Sequence, residues 1–366
     1  MKSPLCELLL GLGGQYPEPD RSGTPRHFGE PDREYDAACH TAAIVDRSLG
    51  TKIELRGRDR ARFLHNLCTN DIKGLPVGQA CEAYLTNVQG RILAYVRVLA
   101  GAESHWIDTV PGAAPALLAH LNHYLISEQV ELLDRTSDFA QIWVVGPQAA
   151  SISAEALGSG VPQLPDQGHT TTTIAGTSCQ LIRNDSLCLP AYEFRVPVEQ
   201  AAAAWEAIWQ AGRPIGLNPM GDEAFEVLRI EAGLPIYGAD IDDSNFPQEV
   251  RRDERTISYT KGCYLGQETV HRIWTMGHVN RYLVGLEVPG SSASPARGSV
   301  ISAADKQIGK ITSGVYSPAL NCPVALGYVR RGFEKPGGEV TVDPGNTSLR
   351  ASIRELPFRT TVQSKP

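Results

Sequence analysis

Residues 92–100 read ILAYVRVLA, a nearly continuous apolar run. The chain then turns at Gly101, and a second strand-like segment returns over residues 105–110. Two such runs joined by a glycine turn predict a β-hairpin in which residues 92–100 form a central strand. The elements on either side of this hairpin decide the fold class.

A strand and a helix flank the hairpin on each side. Before it, residues 51–56 (TKIELR) alternate as a half-buried strand does, and a helix capped by Asp59 and ending near Asn70 follows. After it, a leucine-rich helix over residues 114–125 leads to a strand over residues 129–134. The predicted order is β-α-β-β-α-β, which is the order of a ferredoxin-like module.

The same order of elements is predicted a second time. Its segments are a strand over residues 140–145, a helix over 147–157, a hairpin over 172–182, a strand over 192–197 and a helix over 198–211. We therefore expect two structurally related halves. Residues 156–170 are expected to form an exposed loop.

From Asn280 onward, short strands punctuated by glycine and proline predict a small closed barrel or sandwich. The length of 366 residues suits two or three domains. The prediction is an α+β protein with two ferredoxin-like modules and a C-terminal all-β barrel. The predicted domains are an N-terminal extension at residues 1–25, modules at 26–137 and 138–250, a linker at 251–279 and the barrel at 280–360.

Composition excludes several classes of protein. A hydrophobic fraction of 42% indicates a globular chain, and 34 basic against 41 acidic residues give a net charge of −7, which disfavours a general nucleic-acid coat. The apolar runs are shorter than the ~20 residues of a membrane span, and the N-terminus lacks the pattern of a secretory signal. We expect a cytoplasmic protein that does not cross a membrane.

The eight cysteines include no C-x-x-C pair, so most are predicted to be buried thiols and no tightly bound metal is expected. Cys263 differs because of its neighbours in KGCYLGQE, residues 261–268. The ammonium of Lys261 favours a thiolate, which indicates a nucleophile or a metal-ligand loop. The alternative is a small buried side chain between glycines that only turn the chain. One cysteine cannot hold an iron–sulfur cluster, which normally needs about four ligands.

A carboxylate also lies on an apolar helix face. The helix predicted over residues 222–232 places Glu231 in line with Ala224 and Leu228. A buried carboxylate needs a hydrogen-bond donor. Glu231 is therefore predicted either to bind a heterocyclic ligand with amide-like N–H groups, or to pair with an arginine such as Arg229 or cap a loop.

Two weaker features have structural alternatives. His271 and His278 lack metal-ligand spacing and are more simply packed or exposed. A basic window could contact an acidic partner or RNA phosphates, although a solvated strand face is the commoner meaning of such a run. The window consists of Arg47, Lys52, Arg56, Arg58, Arg60 and Arg62.

The KGCYLGQE segment resembles the K-G-C-[FY]-x-G-Q-E signature of the YgfZ family. Proteins of this family bind folate and are linked to iron–sulfur enzymes and tRNA modification. The segment is also similar to that of the family's mitochondrial relative, an iron–sulfur assembly protein. FLHNLCTNDI (residues 63–72), EVLRIEAGLPIYGADID (226–242) and ITSGVYSPALNCPVALGYV (311–329) resemble the wider glycine cleavage T-protein superfamily. The resemblance spans about residues 26–355. It implies a T-protein-like fold, in which two ferredoxin-like modules and a barrel surround a folate cavity.

The resemblance also implies site residues. Glu231 falls at the superfamily's pterin-binding carboxylate, Cys263 falls at the functional cysteine, and Asn70 and Asp71 are expected to line the folate cavity. The implied cofactor is tetrahydrofolate or a derivative. The residues that complete the cysteine motif are Lys261, Gly262, Tyr264, Gly266, Gln267 and Glu268.

One departure from the superfamily concerns the strand at residues 92–100. Aminomethyltransferases carry a pair of aspartates there, one of which orients or activates the folate nitrogen, whereas this chain has Ala94 and Tyr95. A methyl group has no charge, and a phenol with a reference pKa near 10 is a poor substitute for a carboxylate. The glycine-cleavage reaction is therefore not expected, whereas pterin binding can persist.

The resemblance and this departure favour a tetrahydrofolate-binding accessory protein for iron–sulfur enzymes, including those that modify tRNA. Its implied partners are those enzymes or their assembly factors, with tRNA as a further candidate. The alternative is a folate-dependent one-carbon transferase or demethylase of an unknown amine, with Asp108 or another distant acid replacing the strand carboxylates. A thiol hydrolase that uses Cys263 with His271 is a third hypothesis.

Overall fold

The computed structural model describes residues 1–343 and 348–359. The helices are α1 Cys6–Gly11, α2 Pro31–His40, α3 Arg60–Leu67, α4 Ala114–Tyr124, α5 Ala149–Leu157, α6 Ala201–Gly212, α7 Asp222–Glu231, α8 Asp253–Thr256 and α9 Gln267–Met276. The strands are β1 Ala42–Asp46, β2 Thr51–Arg56, β3 Gln79–Thr86, β4 Ile92–Ala100, β5 Ser104–Thr109, β6 Glu131–Asp134, β7 Phe139–Val145, β8 His169–Ile174, β9 Thr177–Arg183, β10 Ala191–Pro197, β11 Leu217–Pro219, β12 Arg281–Glu287, β13 Val300–Ala303, β14 Lys306–Ser317, β15 Cys322–Arg330, β16 Glu339–Asp343 and β17 Leu349–Arg354.

The first sheet has the strand order β3-β4-β5-β2-β6, with antiparallel neighbours throughout. Its strands β2, β4, β5 and β6 and helices α3 and α4 confirm the predicted ferredoxin-like order. The structure also contains strand β3, which the sequence pattern does not predict. Its Glu82 is buried by contacts with Arg252 and Arg255, which are too distant in sequence to be inferred from local patterning.

Apolar side chains on alternate positions of the first sheet form one core with the two helices. Ile53 and Leu55 of β2 are fully buried against Leu64 of α3 and Leu121 of α4. Burying one such side chain contributes about 1.5–3 kcal/mol. Packing therefore fixes which face of β4 points away from these helices, and that face carries the polar residues described below.

The second sheet has the order β11-β1-β7-β10-β9-β8. Five of its strands, β1-β7-β10-β9-β8, correspond in order to β6-β2-β5-β4-β3 of the first sheet. The predicted relation between the two halves is therefore present in the strand order. The strand beside β7 comes from the N-terminal part of the chain, since β1 pairs antiparallel with β7 and parallel with β11. Residues 42–46 thus belong to the second sheet, although the predicted first domain contains them. The domain boundaries stay predictions.

The residues before β1 are packed against the second sheet. Leu5 and Leu9 of the N-terminal segment are buried with Ile142, Phe194 and Trp205 in one core. The segment predicted as an N-terminal extension therefore contributes to this core.

The C-terminal strands close into a barrel with the order β12-β15-β14-β13-β16-β17. All of the short strands predicted after Asn280 are present. Their inward side chains form a separate core that includes Leu286, Ile301 and Val329. The barrel alternative of the prediction is therefore confirmed.

Candidate functional site

A cavity of about 1120 Å³ lies between the two modules, helices α2 and α7 and the barrel. Cofactor-sized ligands typically occupy clefts of about 300–1,000 Å³. The N-terminal segment contributes Pro17 and Thr24 to the wall, and the barrel contributes Val315. The cavity therefore involves every layer of the fold.

Behind one wall of the cavity lies a buried carboxylate whose two oxygens are both engaged. Glu193 of β10 accepts two hydrogen bonds from the Arg97 guanidinium at 2.5 and 2.6 Å. The amides of Gln141 and Asn184 also donate to Glu193. Because Arg97, Gln141 and Asn184 line the cavity, this network forms a polar wall that joins the two modules.

Asp108 of β5 continues this wall. It accepts from Arg97 at 2.8 Å and from Arg195 at 2.6 Å. Burial alone would raise the pKa of Asp108, but the two guanidinium groups outweigh it and hold this pKa below its usual range. The acid that the sequence suggested as a replacement carboxylate does line the cavity, but it is ion-paired there.

A second carboxylate stands on β3, next to β4. Glu82 accepts hydrogen bonds from the Tyr95 hydroxyl, from Arg252 at 2.8 Å and from Arg255 at 2.9 Å. Glu82 and Tyr95 both line the cavity, whereas Ala94 is buried in the first core. Of the two positions where aspartates were expected by resemblance, only that of Tyr95 faces the cavity.

Next to this polar wall, part of the cavity lining is aromatic. Trp143 of β7 packs edge-on against Phe225 of α7 with ring centroids 5.8 Å apart, and the Arg47 guanidinium lies 4.1 Å above the Phe225 ring. Arg47 also pairs with Asp222 at 3.0 Å. This side offers flat apolar surfaces for a planar ring.

Glu231 lies at the end of α7 and is fully buried. Its carboxylate accepts from Tyr35 at 2.9 Å and from Ser317 at 2.5 Å, and it pairs with Arg359 at 2.7 Å. Glu231 is not among the cavity-lining residues of the described chain. These contacts assign it to the junction of α2, α7, the barrel and the C-terminal segment, and its ligand contact stays a prediction.

Asn70 and Asp71 also have structural contacts. The Asn70 amide donates to the carbonyls of Glu82 and Arg255 at 2.8 and 2.9 Å. Asp71 accepts from the Gly74 backbone at 2.9 Å and pairs with His65 at 3.1 Å. Among the described residues, neither Asn70 nor Asp71 lines the cavity.

The first part of the cysteine motif is held against the end of α3. The Lys261 ammonium donates to the carbonyls of His65, Cys68 and Asn70 at 2.5, 2.7 and 2.8 Å. Burial lowers the pKa of Lys261 to about 8. Tyr264 is buried beneath this ammonium, with its ring centroid 4.8 Å from the Lys261 Nζ. Lys261 thus anchors the loop.

The second part of the motif begins α9. Gly266 has φ +80°, and a β-carbon there would lie 2.5 Å from the Asn87 carbonyl oxygen, so only glycine fits. Gln267 starts α9 and Glu268 lies in its first turn, where a negative charge suits the helix dipole. Gly262 has open space around its α-carbon.

Cys263 is exposed on this loop. Within residues 1–343 and 348–359, no hydrogen bond joins it to His271, whose ring packs on Trp274 at 5.3 Å instead. Cys39 and Cys81 are half-buried, and the other cysteines are buried, in line with their predicted role. Among the described residues, the cavity lining contains none of the motif residues, and the role of Cys263 stays a prediction.

The basic window does not form one surface. Lys52 is fully buried and donates to the Ser48 and Gly50 carbonyls, each at 2.8 Å. Arg47 faces the cavity, while Arg56 and Arg58 are exposed. A continuous RNA-binding stripe is therefore not present along this segment.

Two features are absent from the described part of the chain. No group of three or more His, Cys, Asp or Glu side chains there could hold a metal ion. No described helix is both long enough and apolar enough to cross a membrane.

Several cavity residues lie outside the sequence-based prediction. Glu82, Arg97 and Asn184 of the lining, and Glu193 behind it, are charged or polar residues inside strands or beside them, a position that usually indicates a solvated face. The available signal is that two opposite charges, Glu193 and Arg195, alternate with apolar residues in AYEFRV, residues 191–196. Pairing across modules explains the burial of Glu193, and the sequence does not show that pairing.

The fold and the cavity define a T-protein-like class: two related α+β modules and a closed six-stranded barrel around a central cavity. The family comparison agrees with this class. Residues 12–256 match the GCVT N-terminal domain, and residues 281–359 match the glycine cleavage T-protein C-terminal barrel domain. The chain belongs to this glycine cleavage T-protein family.

Individual relatives resemble the chain over its whole length. The aminomethyltransferase of Caldanaerobacter subterraneus subsp. tengcongensis is 26% identical, over 98% of this chain and 95% of the relative. The aminomethyltransferase of Symbiobacterium thermophilum is 29% identical, over 98% and 96%. The crystal structure of glycine cleavage system aminomethyltransferase T from Bartonella henselae superposes with a TM-score of 0.86 at 23% identity, covering 99% of this chain and 98% of that one. The T-protein-like fold is thereby confirmed.

Proposed function

We propose that the central cavity binds tetrahydrofolate or a derivative, and that the chain uses it in one-carbon (aminomethyl) transfer. The observation that carries the proposal is the cavity of about 1120 Å³, with an aromatic side and a buried polar wall. Membership in the glycine cleavage T-protein family supports it.

The wall fits a heterocyclic ligand. Trp143 Nε1 and Gln167 Oε1 are buried and have no hydrogen-bond partner among the described residues, although both side chains line the cavity. Buried polar atoms are normally paired, so these two leave one donor and one acceptor for a ligand to satisfy. Trp143 and Phe225 would pack on the ring, and Gln141 and Asn184 would flank its polar edge.

In the proposed reaction, bound folate supplies the nitrogen that accepts the one-carbon group. The chain orients the folate and excludes water from the cavity. Asp108 and Glu82 are both ion-paired, so neither is a free base in the structure. An aminomethyl donor would therefore lose its carbon's bonds to nitrogen and to its carrier, releasing ammonia and the free carrier, without proton removal by these two carboxylates.

The proposal is tested by incubating the protein with tetrahydrofolate and a panel of aminomethyl donors (X–CH2–NH2), whose carbon is already at the oxidation level of formaldehyde, including the protein-bound aminomethyl donor of glycine cleavage. Formation of 5,10-methylenetetrahydrofolate, followed by mass spectrometry, is the expected result for at least one donor. Retained folate binding with no product for any donor would contradict the transferase.

We propose as a second candidate that the chain is an accessory protein of iron–sulfur enzymes, including those that modify tRNA. The observation that favours it is the exposed Cys263 on a loop whose backbone is held by the Lys261 hydrogen bonds and by the close packing of Gly266. A Cys263→Ala copy should fail to restore iron–sulfur enzyme activity in a deletion strain. Full restoration by that variant would remove the thiol from this function.

A further inference from the structure

We propose that the phenol oxygen of Tyr95 accepts a hydrogen bond from a neutral N–H group of the ligand in the cavity, and that Glu82 positions this phenol. The inference rests on the proposed function and deepens it, because it names the ligand group that the β3–β4 wall receives.

The Tyr95 hydroxyl can both donate and accept a hydrogen bond. The Tyr95 hydroxyl donates to Glu82 Oε2, so the only proton of this phenol points at the carboxylate. The lone pairs that a hydroxyl also carries are then available to an outside donor. A hydroxyl that donates to a carboxylate becomes a stronger acceptor, since hydrogen bonds in a chain polarise one another. Because Tyr95 lines the cavity, that donor is a ligand group.

Glu82 is fixed as an anion. Arg252 contacts Oε2 at 2.8 Å and Arg255 contacts Oε1 at 2.9 Å, so both carboxylate oxygens are engaged. Burial alone would raise the pKa of Glu82, but the two guanidinium groups outweigh it and hold this pKa below its usual range. Glu82 therefore keeps its charge and its orientation at neutral pH.

The phenol likewise keeps its proton. Burial raises the pKa of Tyr95 well above its ordinary value. A neutral phenol next to an ion-paired carboxylate exchanges no proton with a ligand at neutral pH. Tyr95 and Glu82 therefore bind and orient the ligand and transfer no proton.

The charges of this wall favour a neutral ligand group. Glu82, Asp108 and Glu193 each accept from at least one arginine. A protonated amine placed here would meet the guanidinium groups of Arg97 and Arg252, with no free carboxylate among these three to balance them. A neutral N–H donor, of the kind that a reduced pterin ring carries, forms the hydrogen bond without this cost.

The first test is a calorimetric titration of the full-length protein with tetrahydrofolate. Tyr95→Phe should weaken binding about five- to twentyfold, the effect of losing one hydrogen bond. Tyr84→Phe is the matched control, since Tyr84 is buried, has its ring centroid 5.4 Å from that of Tyr95 and does not line the cavity. Equal affinity of wild type and Tyr95→Phe would overturn the inference and leave the proposed function intact. Absence of binding to wild type would overturn both.

The positioning role of Glu82 is tested by a double-mutant cycle. Glu82→Gln should weaken tetrahydrofolate binding in the wild-type background and have no further effect in the Tyr95→Phe background. An equal loss in both backgrounds would show a merely structural role. If Glu82→Gln does not fold, Tyr95→Phe alone decides the main claim.

The class of ligand group is tested by competition. Methylammonium chloride at millimolar concentration should not displace tetrahydrofolate from the wild-type protein. If methylammonium displaces tetrahydrofolate from wild type but not from Tyr95→Phe, the phenol oxygen binds a cation. That result would contradict a neutral N–H group as its ligand.

Discussion

Glu231 illustrates how one residue can be recognised from sequence without its role being settled. The helix pattern correctly predicts a buried carboxylate in need of donors. The donors are Tyr35, Ser317 and Arg359, which lie 196, 86 and 128 residues away and converge only in the folded chain. Arg229, the arginine that the sequence suggested, pairs with Glu226 and Asp240.

The burial of Glu231 predicts its effect on stability. Glu231→Ala should lower the free energy of unfolding by about 3–5 kcal/mol, because Arg359 loses its buried partner. Glu223→Ala on the same helix, which breaks a largely exposed pair with Arg26, should cost at most about 1 kcal/mol. Urea unfolding measures both, and tetrahydrofolate titration of folded Glu231→Ala separately tests the predicted ligand contact. Unchanged stability with lost binding would support the ligand role instead.

At the scale of elements, sequence periodicity is informative where one face is apolar and misleading where charges are buried. It predicts β4, with its buried alternate positions, and all six barrel strands. It does not predict β3, because Glu82 interrupts the apolar pattern and its arginine partners belong to a distant segment. Helix α9 is likewise unpredicted, since only Val270 of this helix is buried.

Two glycines of the motif differ in their structural demands. Gly266→Ala should lower the free energy of unfolding by about 1–3 kcal/mol, because alanine there must adopt a positive φ beside the Asn87 carbonyl. Gly262→Ala, in open space, should change it by less than about 0.5 kcal/mol. Thermal unfolding and hydrogen exchange of α9 amides measure both. Equal effects of the two substitutions would contradict this account of the loop.

In the whole molecule, the repeated order of elements makes the two halves predictable. The strand and side-chain contacts that join one half to the other are not predictable. Strand β1 joins the second sheet through pairing with β7. Likewise, the network around Arg97 and Glu193 joins β4 to β10. Such contacts depend on packing between modules and leave no local pattern.

Two buried histidines make global stability depend on pH. Burial lowers the pKa of His105 and of His169 to about 4, against an ordinary value of 6.5. Between these values the unfolded chain binds more protons than the folded one, so the free energy of unfolding should fall as the pH drops from about 6.5 to 4. A His105→Gln/His169→Gln variant should show a shallower fall in urea unfolding at several pH values. An unchanged slope would remove both histidines from this effect.

The claim that the cavity binds a reduced folate is tested by calorimetric titration of tetrahydrofolate into wild type and two tryptophan variants. Val110 lines the cavity, and Val110→Trp should abolish binding by placing a bulky ring where the ligand packs. Val88 is 58% exposed outside the cavity, and Val88→Trp should bind as wild type does. Saturable binding lost only in Val110→Trp is the predicted result. Binding that survives in Val110→Trp, or no binding to wild type, would contradict the claim.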